Sequence, residues 1–272
     1  MHQLYRKSPR TQSEKLDKYY TKKKVVKDCL NTLDMNRYDL IIEPAAGNGN
    51  FLHEISHPNI IGIDIEPESE GIIKQDWFSF KIPEIYLSVL VVGNPPFGRY
   101  HSMSRRFIEH ALQFFNLKTL AFILPNVYRK HTRQAIIPGE FRIKEILSLD
   151  KDAFLLNGKE YHIPSSFFVF DRSTGPDLRT PSLNHLKETK DFVFGNPKDY
   201  DIFVFGAAPK KITQEAKPNN RGYYLKSKIG TQKLINRLQK IDWKGNSSAQ
   251  GGVYWLNKTE FLSQYQTHYD IT

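Results

Sequence analysis

The chain has 272 residues, 39% of them hydrophobic and 25% charged, with one cysteine and a formal net charge of +10. That length fits one α/β domain, or one with a smaller partner, and a lone Cys29 excludes an internal disulfide and a cysteine zinc cluster. No stretch approaches the roughly 20 apolar residues of a membrane span, and the start, MHQLYRKSPR, lacks the apolar core of a signal peptide, so a cytoplasmic, metal-free protein is expected.

In chain order, residues 1–17 are polar and charged without periodicity and predict a mobile basic arm. The stripe Val25, Val26, Cys29, Leu30 and Leu33 predicts a helix, with Thr21 as its N-cap. YDLIIEPAAGNGNFLHEI predicts a strand, a glycine turn and the start of a helix. NIIGIDIEP, GIIKQDW and IPEIYLSVLVVGNPPF predict the next three strands, each ending in polar or turn residues. RRFIEHALQFF predicts a helix with Phe107, Ala111, Leu112 and Phe115 on one side. KTLAFILPN, FRIKEILSLD, SSFFVFDR and YDIFVFGAAPKKI predict further strands. Strands alternating with helical segments imply βαβ units and a parallel sheet. The alternation fades near residue 175, in the turn-rich DRSTGPDLRTPS. The expected organisation is therefore an arm over 1–17, an α/β domain over 18–175 and a small basic region over 176–272.

The charge is uneven. Residues 1–30 hold nine Lys/Arg against three acids, and residues 207–258 hold eleven against two. Tyr19, Tyr20, Tyr223, Tyr224, Tyr254 and Trp255 lie in or beside these blocks. Two basic blocks with aromatic residues point to two surfaces that face a nucleic acid.

The strand ends carry the candidate chemistry, because ligands of open α/β sheets bind at the carboxyl ends of the strands. EPAAGNGNF, residues 43–51, runs from a strand into a turn with Gly47 and Gly49, where the backbone can approach a ligand closely. Asp64 ends the next strand and can accept hydrogen bonds from both hydroxyls of a ribose. Asp76 ends the third and can accept one from an adenine amino group. GNPPF ends the fourth, since proline cannot continue a central strand. An aromatic amine is a poor nucleophile until both its hydrogens are accepted at one point. The side-chain oxygen of Asn94 and the carbonyl of Pro95 supply two acceptors there. Pro95 and Pro96 fix the backbone, which aims that carbonyl in advance. Phe97 offers a ring on which a planar base can stack.

In this order, EPAAGNGNF, GIDIEP, QDW and GNPPF resemble the motifs of S-adenosylmethionine-dependent adenine-N6 methyltransferases. KYYTKKKVV, residues 18–26, resembles the YYTP…VV segment of the DNA-methylating group with the TaqI-type motif order, and FILPNVYRK resembles its phage and bacterial members. The resemblance covers residues 18 to about 130. It implies a Rossmann-like class I methyltransferase fold, with a mostly parallel doubly wound sheet and a small basic C-terminal extension. It implies S-adenosyl-L-methionine as cofactor, S-adenosylhomocysteine as product and no metal. Tyr20 and Thr21 then approach the methionine part of the cofactor. Glu43, Ala45 and Gly47 line that side of the turn, which Gly49 completes. Asp64 holds the ribose, Ile65 packs on the adenine, Asp76 binds its amino group, and Trp77 or Phe78 closes over it. Asn94, Pro95, Pro96 and Phe97 hold the target base, with Asn94 also facing the cofactor. Lys22 stands where the family often has proline.

The basic tail mixes Lys226, Lys228, Lys233 and Arg237 with Asn, Gln and Ser, types suited to phosphates and base edges. WKGNSSAQGG reads as a loop suited to ordering on nucleic acid. The expected activity is methylation of adenine N6 in DNA by base flipping, with a restriction partner left open. RNA as substrate is the alternative. A silent nucleic-acid-binding subunit, a protein-glutamine methyltransferase and a cytosine-N4 enzyme stand further off.

Overall fold

A computed structural model describes residues 19–180, 189–243 and 256–269. The basic arm over 1–17, the glycine-rich segment beyond Trp243, and Tyr254 with Trp255 lie outside the described residues. Two compact units emerge. The first takes the described residues up to Tyr128 together with Gln134–Arg179; the second takes Arg129–Arg133 and those from Thr180 on.

The strands of the first unit are β1 (Tyr20–Thr21), β2 (Leu40–Glu43), β3 (Ile60–Asp64), β4 (Ile72–Lys74), β5 (Val89–Gly93), β6 (Leu117–Pro125), β7 (Phe141–Ser148), β8 (Phe154–Leu156), β9 (Lys159–Tyr161) and β10 (Ser165–Arg172). Seven of them form one sheet in the order β4-β3-β2-β5-β6-β10-β7. The first five are mutually parallel, and β10 runs antiparallel to both β6 and β7. This is the strand order of a Rossmann-like class I methyltransferase fold. The apolar runs are continuous because the sheet is buried on both faces. Along β5, Val89 and Val91 point into one core, and Leu90 and Val92 into the other. Helix α1 (Lys23–Leu30) closes the second core with Val26, Cys29 and Leu30. Helix α2 (Ser102–Ala111) closes the first with Phe107, Ile108 and Ala111.

Several local expectations are corrected. SSFFVFDR is the reversed strand β10. Its connection from β7 holds a hairpin, β8–β9, and no helix, and a parallel strand needs a long crossover. The helix expected after the glycine turn is a single 3-10 turn, Leu52–Glu54, cut short before Pro58, which disfavours helix in the residue it follows. Thr21 does not cap α1. Lys22 holds the cap position with no side-chain bond, and Thr21 belongs to β1. Phe115 lies beyond the end of α2 and is exposed.

The second unit has a four-stranded antiparallel sheet, β11 (Phe192–Phe194), β12 (Ile202–Phe205), β13 (Ala208–Thr213) and β14 (Gly222–Ser227), in the order β11-β14-β12-β13. Helices α3 (Thr231–Lys240) and α4 (Lys258–Tyr269) supply Leu234, Leu238, Phe261 and Leu262 to a core shared with Phe192, Ile202, Val204 and Leu225. YDIFVFGAAPKKI, expected as one strand, folds as the hairpin β12–β13 about Gly206 and Ala207. Against an expected boundary at residue 175, the units divide after Arg179.

Candidate active site at the carboxyl ends of the strands

Four adjacent parallel strands, β4-β3-β2-β5, bring Asp76, Asp64, Glu43 and Asn94 to one edge of the sheet. Between them opens a cavity of about 190 Å³. Of the residues expected to hold a cofactor, Tyr20, Thr21, Glu43, Ala45, Gly47, Asp64, Ile65, Asp76, Trp77 and Asn94 line it. Of those expected to hold a base, Asn94 and Pro96 line it.

The turn is held by its neighbours. Asp64 Oδ2 accepts from the Gly47 N–H and its Oδ1 from the Glu66 N–H, both at 2.8 Å. Each oxygen keeps a second lone pair for a ligand hydroxyl. Glu43 is 3% exposed, and its Oε2 accepts from the Leu52 N–H at 2.8 Å. Burial pushes its carboxyl well above the usual carboxylate range, with Asp64 adding to the shift. β1 closes the cavity from the other side. Asn50 Nδ2 donates to the Thr21 carbonyl at 2.7 Å, and the Tyr20 hydroxyl donates to Glu68 at 2.6 Å. Asn94 Nδ2 donates to the Tyr19 carbonyl and to Thr21 Oγ1, both at 3.2 Å. Its Oδ1 is buried and has no hydrogen-bond partner among the described residues.

Other side chains sit elsewhere than expected. Gly49 does not line the cavity. Its φ is +79°, and a Cβ there would meet the His53 ring at 2.7 Å, so it serves the turn itself. The Trp77 ring is 1% exposed and stacks on Phe80 and Phe107. It is core and not a lid, which leaves Phe78, half-buried under the Arg106 guanidinium at 4.3 Å. Phe97 is 8% exposed, packed in the α1-side core and absent from the cavity wall, so its face is not offered to a base. Pro95 is also buried off the wall. Asp76 Oδ1 caps the 3-10 turn that follows it, accepting from the Phe78 N–H at 3.0 Å.

Some site residues escape a sequence reading. Met103 and Phe107 of α2 and Tyr19 line the cavity. Tyr19 also packs on Tyr161 of β9, with ring centres 5.1 Å apart. The signal for that hairpin was present: Asn157-Gly158 between apolar and alternating residues is a strong hairpin turn, and both take positive φ. β8 pairs with β1, so this hairpin holds the YYT segment.

In the second unit, Lys226 pairs with Asp199 at 2.6 Å, and Lys228 Nζ donates to the Thr189 carbonyl at 3.0 Å. Lys233 is exposed on α3. Arg237 differs: it pairs with buried Asp191, which also accepts from the Tyr265 hydroxyl, and it lies over the Tyr269 ring. Arg237 is thus anchored on a buried carboxylate while 30% of its side chain stays exposed. Among the described residues, no helix is long and apolar enough to cross a membrane.

No protein-family model and no curated protein matches the chain. Among solved structures, the 23S rRNA methyltransferase ErmE superposes at 15% identity with a TM-score of 0.46, over 57% of this chain and 70% of its own. A putative RNA methyltransferase from Pyrococcus horikoshii superposes at 15% identity and a TM-score of 0.45, over 62% of this chain and 91% of its own. A modification subunit of a putative type I restriction enzyme from Vibrio vulnificus superposes at 13% identity and 0.42, over 77% of this chain; the chain spans only 55% of that subunit.

Proposed function

We propose that this chain transfers a methyl group from S-adenosyl-L-methionine to the N6 amine of adenine in DNA. The observation that carries the reading is Asn94. Its N–H groups are engaged by the Tyr19 carbonyl and Thr21 Oγ1, which fixes the amide and leaves Oδ1 as a buried acceptor without a donor among the described residues. An unsatisfied buried acceptor costs about 1–3 kcal/mol, and an amine presented to it removes that cost. Pro95 and Pro96 hold the adjoining backbone rigid, which keeps the Asn94 amide where it can accept from the amine. Accepting an amine hydrogen there draws the lone pair out of the ring, which is what an adenine nucleophile needs.

The cavity beside Asn94 fits the cofactor. Asp64 has lone pairs for the ribose hydroxyls, Ile65 leaves 54% of its surface open for an adenine ring, and Tyr20 and Thr21 close the methionine end. Bound there, S-adenosylmethionine would supply the electrophilic methyl group. The chain's own part is to hold the amine in line, and proximity then supplies much of the rate. With Phe97 buried, Tyr19, which lines the cavity and packs on Tyr161, is the ring proposed for a planar base. A duplex hides the amine, so the base must leave the stack. The net charge of +10 and the lysines of the second unit supply phosphate contacts that offset this, which makes that unit the substrate-recognition region.

Labelled S-adenosylmethionine with DNA and RNA pools, followed by nucleoside mass spectrometry, tests the reading. N6-methyladenine from DNA is expected. Label in RNA alone moves the substrate to RNA, and label in neither overturns the proposal. Asn94→Ala should lower transfer by orders of magnitude, and retained transfer would remove Asn94 from the chemistry.

A further inference from the structure

Between Pro96 and Met103, which both line the cavity, the chain makes an arch, Gly98–Ser102. Its base is built in. The Met103 and Ser104 N–H groups both donate to the Phe97 carbonyl, and the His101 N–H donates to the Gly98 carbonyl. Ser104 is fully buried, and His101 is 8% exposed. Gly98 has φ +71°, and a Cβ there would fall 2.7 Å from that of Met103. Tyr100 and His101 also take positive φ, 55° and 63°, a costly conformation for residues with side chains. The result is that Tyr100 stands out of the arch, 70% exposed. The Arg99 guanidinium lies over its ring at 5.0 Å.

Resting on the function proposed above, we propose that Tyr100, backed by Arg99, enters the gap left in a DNA duplex when the target base turns into the cavity. An exposed ring on an arch that joins two cavity-lining residues can stack on the bases that lose their neighbour. Such stacking is sequence-tolerant. The guanidinium adds a cation to the ring and a contact for the adjoining phosphate. The strained backbone is then a way of pointing the ring outward.

The test begins with plasmid DNA. The wild type marks its site there, and sequencing reads the position. Two synthetic duplexes then carry that site, one fully paired and one with the target base opposite an abasic position. Tyr100→Ala should methylate the paired duplex about tenfold to a hundredfold more slowly than the wild type. It should approach wild type on the second duplex, where extrusion is already cheap, and Tyr100→Phe should keep the rate on both. Calorimetry should show unchanged cofactor affinity in both variants. Equal rates for Tyr100→Ala and wild type on the paired duplex would overturn the proposal, as would an equal loss on both duplexes. A wild type that leaves no mark on plasmid DNA would instead remove the DNA reading on which the proposal rests, and the proposal with it.

Discussion

Glu43 ends β2 inside the protein, and its protonation is set by burial more than by any partner. A carboxyl whose folded pKa is raised above its unfolded value binds a proton in the native state that the unfolded chain has already released. Its contribution to stability is therefore intact below the ordinary carboxylate pKa and is lost as pH rises toward the folded value. Glu43→Gln keeps the shape and an acceptor for the Leu52 N–H but cannot ionise. The variant should gain thermal stability relative to wild type as pH is raised from about 5 to 8. A gap between the two melting curves that does not change with pH would mean that Glu43 is ionised in the folded protein. At this scale the polar strand ends were legible as a row of groups at one sheet edge, although Asp64 and Asp76 also hold the turns that follow them. The rings were not. Trp77 and Phe97 sit in the same motifs as Asp76 and Asn94, yet tertiary packing alone decides whether an aromatic ring faces a ligand or a core.

The YYT segment shows the same limit for elements. Its position ahead of the glycine turn was legible, but that it pairs with the distant β8–β9 hairpin was not. Lys22, at the position where the resemblance leads one to expect proline, is tied to the hairpin. Its N–H donates to the Ala153 carbonyl at 3.0 Å, and its Nζ reaches Asp152 and Glu160 at 2.8 and 2.6 Å. The backbone at Lys22, φ −61° and ψ 143°, would admit a proline. The ring would nevertheless delete the donor and press on the Ala153 oxygen. Lys22→Met removes only the exposed ion pairs, which contribute little; Lys22→Pro removes the backbone bond as well. Hydrogen exchange over residues 152–161 should therefore show near-native protection in Lys22→Met and clearly faster exchange in Lys22→Pro. The proline variant should also lose cofactor affinity, because Tyr20 and Thr21 line the cavity. Equal protection in all three proteins would show that the hairpin does not depend on Lys22.

Over the whole molecule, the parallel half was legible because its strands are uninterrupted apolar runs buried on both faces, whereas the second unit is assembled from short hairpins whose pairing no local pattern fixes. Charge is legible as a total and not as a use. Lys226 and Arg237 look alike in the sequence, both basic in the same block. Lys226 and its partner Asp199 are 49% and 60% exposed, and water or a phosphate can replace that pair at little cost. Arg237 faces Asp191, which is 6% exposed, and losing the cation strands a buried carboxylate. The two classes should separate in a binding experiment with duplex DNA at several salt concentrations. Replacing Lys226, Lys228 and Lys233 together by Gln should leave the melting temperature nearly unchanged. It should make the slope of log affinity against log salt shallower by up to about 0.9 for each phosphate that the variant no longer neutralises. Arg237→Ala should do the reverse, lowering the melting temperature by several degrees while the slope, measured well below that temperature, stays as in wild type. A shallower slope in Arg237→Ala with stability intact would make Arg237 a phosphate ligand after all. An unchanged slope in the triple variant would mean that these lysines only face water, and the phosphate-binding groups would then be sought in the basic block of residues 1–30.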